Sequence, residues 1–240
     1  MPLSLVSCEN VRVHVANSES WRVSVDEGSQ SVHVVLYIRD AFHLAPKETA
    51  ENPPRLSGEI PDLRPLLVGL DLSVATFGWT EWWKRLMAFE GARAVQGLDR
   101  ATQKRDFHAT AMKGVKVFDP PGFESLTADS AIQSIAASTF RQAHLWHRES
   151  DFVIRRRLER GPERRFFADV ADEVRDGYNV SASQVNASVL VLQTVGAWRS
   201  FWPGLLVCSQ ETFANDEVFA GLLREAFIRN IDRSHGSGDP

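Results

Sequence analysis

Residues 185–192, Val185-Asn186-Ala187-Ser188-Val189-Leu190-Val191-Leu192, set Val185, Ala187, Val189 and Val191 in alternation with Asn186, Ser188 and Leu190. A period of two in β-branched residues marks a strand, because successive side chains of an extended chain point to opposite faces. The alanine and leucines in the run keep a helix open as the alternative. Downstream, Leu205 to Cys208 reads as a further strand, and Asn215 as the cap of a final helix to about Ile231 carrying Val218, Phe219, Leu222, Leu223 and Phe227.

Upstream, Pro162 and Gly177 bracket a helix whose body ends near Arg175, proline suiting a first turn and glycine a C-terminal stop. Thr127 looks like an N-cap, and Ile132, Ile135, Ala136, Phe140 and Ala143 recur at helical spacing up to about Arg148. Nearer the N-terminus, Val11–Val15, Trp21–Val25 and Val32–Ile38 read as three strands of a meander, parted by Asn17-Ser18 and Glu27-Gly28-Ser29. Ala45 to Pro65 holds Pro46, Pro53, Pro54, Gly58, Pro61 and Pro65 and reads as a surface connection. Leu66–Leu70 then reads as a buried strand, Trp79–Val95 as a helix, and Val115–Phe118 as a short strand closed by Asp119-Pro120-Pro121-Gly122.

The expected class is α+β, with a mixed α/β arrangement as the alternative. An N-terminal β-meander and a central strand–helix segment precede C-terminal helices with two further strands. The chain divides into a β-rich part with a Trp-rich helix, 1–120, and a helix-rich part, 121–240, or forms one single domain.

Composition narrows the function. Lys and Arg number 27 against 31 Asp and Glu, a formal charge of −4 over 240 residues, and 43% hydrophobic with 24% charged residues is the make-up of a folded protein. The longest apolar stretches, Leu66 to Leu70 and Val189 to Leu192, fall far short of a membrane span. The N-terminus lacks a basic leader, so a cytoplasmic location is expected. Cys8 and Cys208 are too few for a disulfide framework or a thiolate zinc site. No phosphate-binding Gly-rich loop, dinucleotide fingerprint or Gly-x-Ser-x-Gly elbow occurs, which disfavours common nucleotide-cofactor enzymes and serine hydrolases.

Four features remain as candidates for function. The first is Gly69-Leu70-Asp71-Leu72-Ser73-Val74-Ala75-Thr76-Phe77-Gly78-Trp79, an aspartate ending an apolar run with glycine and an aromatic residue following seven positions on. It resembles the first motif of RuvC-type nucleases of the RNase H superfamily. The resemblance implies Asp71 as a ligand for catalytic Mg²⁺ or Mn²⁺, with Asp119, Asp129 and Asp151 as the further carboxylates on offer. A turn or N-cap residue ahead of Ser73 is the structural alternative.

The second is Arg155-Arg156-Arg157-Leu158-Glu159-Arg160-Gly161-Pro162-Glu163-Arg164-Arg165, six arginines against two glutamates. It suits phosphates or an acidic partner, or else pairs with Asp169, Asp172, Glu173 and Asp176. The stretch from Ala168 to Val185 beyond it resembles a helix-turn-helix. The third is His144 and His147, three apart on a helix and a candidate metal pair. The fourth is aromatic: Trp79, Trp82 and Trp83 with Phe77 and Phe89, and Trp198, Phe201 and Trp202 before Pro203-Gly204, each reading as core or as a protein-docking patch.

With catalytic signatures missing and contact surfaces on offer, the expected function is non-catalytic: binding a protein partner or a second copy as a complex subunit or adaptor, with no cofactor. The alternative is a nucleic-acid-binding protein or a divalent-metal nuclease built on Asp71.

Overall fold

The run at 185–192 is the middle strand of the molecule. The computed structural model describes residues 11–15, 21–46, 49–66, 69–98, 117–158 and 162–236, with the side chains of 11–15, 96–98, 151–158, 164 and 235–236 outside that description. Strand β1 (Val11–Val15) pairs antiparallel with β2 (Arg22–Asp26), and β2 runs parallel to β3 (Asn186–Leu192). Strand β4 (Arg199–Trp202) is the far edge, antiparallel to β5 (Leu205–Ser209), which runs parallel to β3. The sheet order is β1-β2-β3-β5-β4, so its strands come from both ends of the chain.

Alternation along β3 feeds two cores. Leu190 and Leu192 join one with Leu205 and Val207, beneath α1 (Gln30–Ala41), α2 (Leu72–Leu98) and α3 (Ser130–Leu158). Ala187, Val189 and Val191 join the other with Val23, Val25, Leu206 and Cys208, beneath α4 (Arg164–Tyr178), α5 (Gln210–Phe213) and α6 (Asp216–Gly236). The class is α+β, with helices on both faces of a mixed sheet. Burial on both faces explains why β3 and β5 are apolar almost throughout. No helix among the described residues is long and apolar enough to cross a membrane.

Several elements differ from expectation. Val32–Ile38, expected as the third strand of the meander, lies inside α1, which is buried from Val32 through Ala41. A helix packed on every side carries no polar stripe, so its sequence shows no 3.6-residue period and its β-branched residues mimic a strand. Leu66–Leu70 is no buried strand: Arg64–Leu66 is a 3-10 turn with Leu66 71% exposed, and 67–68 lie outside the described residues. Of Val115–Phe118, the first two residues lie outside the described set and Val117 and Phe118 sit in a turn. The stretch after α4 is a 3-10 turn (Ala182–Gln184) leading into β3, so no recognition helix follows and the helix-turn-helix expectation is withdrawn. Helix α4 ends at Asn179 in the left-handed conformation, one turn-forming residue beyond Tyr178 rather than at Gly177.

Helix α2 begins at Leu72, seven residues before the expected start, and its inner face holds Trp79, Trp82, Trp83, Leu86 and Met87, all fully buried or nearly so. Each indole N–H finds a carbonyl: Trp79 donates to Val35 O at 2.8 Å, Trp82 to Val117 O at 2.8 Å, and Trp83 to Glu51 O at 3.0 Å. Buried tryptophan pays its desolvation cost by such bonds. Two glycines set how closely α2 approaches its neighbours. A Cβ at Gly78 would meet Ile132 Cγ2 at 2.9 Å, and one at Gly91 would meet Pro203 O at 2.6 Å.

Within the Pro-rich stretch, residues 55–57 are pinned to 193–195. Leu56 bridges to Thr194, Ser57 N–H donates to Gln193 O at 2.7 Å, and Val195 N–H donates to Arg55 O at 2.9 Å.

Candidate functional site

Ligands of open α/β sheets bind where parallel strands end, so the C-terminal ends of β2, β3 and β5 are the first place to look. There Gly28 N–H donates to Asp26 Oδ1 at 3.0 Å, and Arg93 reaches Asp26 at 3.4 Å and Glu90 at 3.2 Å. Ser31 Oγ donates to Glu90 Oε1 at 3.1 Å and lies 3.1 Å from Ser29 Oγ. His33, fully buried, stacks on His147 with ring centroids 5.3 Å apart.

The chemistry of this cluster follows from its hydrogen bonds. A carbonyl only accepts, so the 2.9 Å contact between His33 Nδ1 and Ser29 O puts the proton on Nδ1. Nε2 then accepts the backbone N–H of Gln193 at a long 3.5 Å. Both ring nitrogens face backbone, while the Ser31 hydroxyl faces Glu90. Of these bonds, the one from Ser31 to Glu90 sets a hydroxyl against a carboxylate base, whereas those of His33 engage the backbone. They clamp the start of α1 to the ends of β2 and β3 and to α2.

Asp71 is not a sheet-centre ligand. It is exposed at the N-cap of α2, accepting Ser73 Oγ at 2.6 Å, Ser73 N–H at 2.7 Å and Val74 N–H at 3.5 Å. Those bonds from Ser73 and then Val74 hold its carboxyl below the usual carboxylate range. The nuclease-like spacing thus has a helical explanation: a cap at Asp71, a close crossing at Gly78 and a core ring at Trp79. Asp119 accepts Ser125 N–H and Oγ at 2.9 and 2.7 Å, Asp129 pairs with Arg85 at 3.8 Å, and the Asp151 side chain lies outside the described residues.

The two candidate metal-ligating histidines diverge. His147 is buried against His33, and His144 stacks on Phe140 at 5.7 Å. Among the described residues no group of three His, Cys, Asp or Glu side chains is placed to hold a metal ion, and the side chain of Asp151 lies outside them. Burial, and secondarily the charge of Arg148, lowers the pKa of His144 from its ordinary 6.5. The unfolded chain therefore binds more protons just below that value, and stability falls as pH drops through it. His144→Leu should flatten this decline in urea midpoints measured across the acid range; an unchanged slope would assign the decline to other groups.

Of the arginine run, Arg160 and the side chains of Arg155, Arg156, Arg157 and Arg164 lie outside the described residues. Arg165 is exposed, 3.8 Å from Asp169. The acids after it are largely occupied, Arg175 pairing with Asp172 at 2.7 Å and Asp176 at 2.9 Å, and Arg224 with Glu173 at 2.6 Å.

The aromatic clusters are corrected most sharply. Trp79, Trp82 and Trp83 are fully buried and offer nothing to a partner in this fold. Trp198 and Trp202 are half-buried against the same core, Trp202 on edge strand β4, and the Trp198 N–H is held by Ser209 Oγ at 3.0 Å. Phe77 is different. Two residues before Trp79 on a helix means about 200° away around the axis, so burial of Trp79 sends Phe77 outward. It is 66% exposed, with Val74 at 55% beside it and Leu66 and Leu72 close in sequence. The outer row continues through Glu81, Lys84 and Ala88. Glu81 and Lys84 were legible as the stripe opposite the tryptophans, whose burial bears out the core reading of that cluster over the docking one.

Outside comparison adds nothing to this geometry. No protein-family model, curated protein or solved structure matches the chain.

Proposed function

We propose that the protein is a non-catalytic subunit or adaptor of the cytoplasm that works by binding another protein chain, and that the outer face of α2 around Phe77 is its contact surface. The observation that carries this is the exposed pair Val74 and Phe77, three residues apart on one face of α2. Isolated exposed apolar residues are ordinary, whereas two neighbours on one helix face, one of them aromatic, offer a partner an anchor of the kind interfaces use. The His33 ring at the strand ends supports the non-catalytic part, both of its nitrogens being engaged by the backbone.

The test is the apparent size of the tagged protein on gel filtration of native extract. The wild type should elute in a complex and Phe77→Glu should fall to the size of the monomer, since an exposed site tolerates a carboxylate without unfolding. Co-elution of both forms at one size would overturn the assignment of the surface.

A further inference from the structure

We propose that the chain on this surface is a second copy of the protein, the two α2 helices lying antiparallel with Glu81 of each opposite Lys84 of the other. This rests on the outer face of α2 being the contact surface. The row Val74, Phe77, Glu81, Lys84, Ala88 advances by three, four, three and four residues. That spacing keeps the five side chains on one face of the helix, which a second helix can cover along its length, with two charges at the centre of the face.

The order of side chains in the row selects the partner and its direction. Run antiparallel against itself, the row sets Glu81 against Lys84 twice at the centre and Phe77 against Ala88 twice on the flanks. Each large ring then meets a position with only a methyl group, and each charge meets its opposite. Run parallel, the same row would set Glu81 on Glu81, Lys84 on Lys84 and Phe77 on Phe77. Like charges directly opposite cost binding energy, so the parallel arrangement is disfavoured. A wholly apolar partner or a lipid surface would strip water from Glu81 and Lys84 and return no new opposite charge.

Self-complementarity under a two-fold axis is what an isologous dimer requires. In the single chain Lys84 Nζ already lies 2.9 Å from Glu81 Oε1, both side chains being about half exposed. Docking would extend this pair into a ring of four alternating charges. The inner side of the helix is closed to any such role by the tryptophans, and Gly91, which this register would set against Val74, is covered by the Pro203 carbonyl, so the pairing runs from Phe77 to Ala88 and leaves Val74 outside it.

The experiment uses the full chain and two single variants, Glu81→Lys and Lys84→Glu, in sedimentation velocity over a dilution series. The wild type should dimerise. Each variant alone faces its own copy with like charges, and its dimer should weaken by about tenfold or more. An equimolar mixture of the two should recover a dimer, because every Lys at 81 or 84 of one then meets a Glu of the other. Circular dichroism of each variant controls for folding. Variants that stay dimeric, or a mixture that stays monomeric, would overturn the antiparallel pairing. A monomeric wild type would overturn it too, and if Phe77→Glu still dismantled a complex in extract, the surface would stand with a different protein as its occupant.

Discussion

Trp79→Ala should lower the free energy of unfolding by about 3–5 kcal/mol, read from urea titration. The ring is fully buried, stacked on Trp83 at 5.7 Å with planes 8° apart, and its N–H is bonded to Val35 O at 2.8 Å. The Arg39 guanidinium sits over it at 5.6 Å. Truncation removes the contact area, opens a cavity between α1 and α2 that rigid helices do not collapse, and takes a hydrogen bond with it. Phe77→Ala, on the other side of the same helix turn, should change stability by less than about 0.5 kcal/mol. The contrast between neighbours is the informative result. Were α2 turned the other way, with the tryptophans outward, the two effects would exchange.

Arg39→Met is expected to cost about as much, some 3–5 kcal/mol, through a different mechanism. Arg39 and Asp40 are both buried, Nε meeting Asp40 Oδ1 at 2.7 Å and Nη2 meeting Oδ2 at 3.1 Å. Nη1 and Nη2 donate further to the carbonyls of Pro53 and Pro54, and Asp40 Oδ2 accepts the N–H of Leu56 at 2.7 Å. This pair fastens the segment 45–65 to α1. Without Arg39 the carboxylate of Asp40 is left buried and uncompensated, and two proline carbonyls lose their donors. Arg39→Lys should not rescue, because a single ammonium cannot span four acceptors as a planar fork does. The same variants should open the segment to trypsin after exposed Arg55, whereas the wild type, with Leu56 bridged to Thr194, should resist. Resistance equal to wild type would show that the strap is held by its strand-like contacts alone.

How much of this was legible in the sequence depended on how each element is buried. β3 was readable because its β-branched residues Val189 and Val191 recur with period two, although burial on both faces leaves the strand apolar almost throughout. The last helix was readable because Asn215 caps it, accepting Val218 N–H at 3.1 Å. Helix α1 was not, since burial on all sides erased the stripe by which helices are known. Asp71 carried a true signal, the start of a helix, which a resemblance over eleven residues turned into a metal ligand. The tryptophans show the same limit in reverse: sequence counts aromatic rings without saying which way they point, and only the packing of α2 against α1 and α3 puts Trp79, Trp82 and Trp83 inside and Phe77 outside. Polar groups at the strand ends, Asp26, Ser31, His33 and Glu90, are scattered along the chain and carry no motif, so nothing short of the fold brings them together.

The central claim is that the outer face of α2 meets another protein chain, and photo-crosslinking tests it most directly. A benzoylphenylalanine placed at Phe77 and, as a control, at the isolated exposed Tyr178 on α4 would be irradiated in cells making the protein, and adducts read by mass. A discrete protein adduct is expected from position 77 and none from position 178. Equal labelling at the two positions, or no adduct at 77, would contradict it.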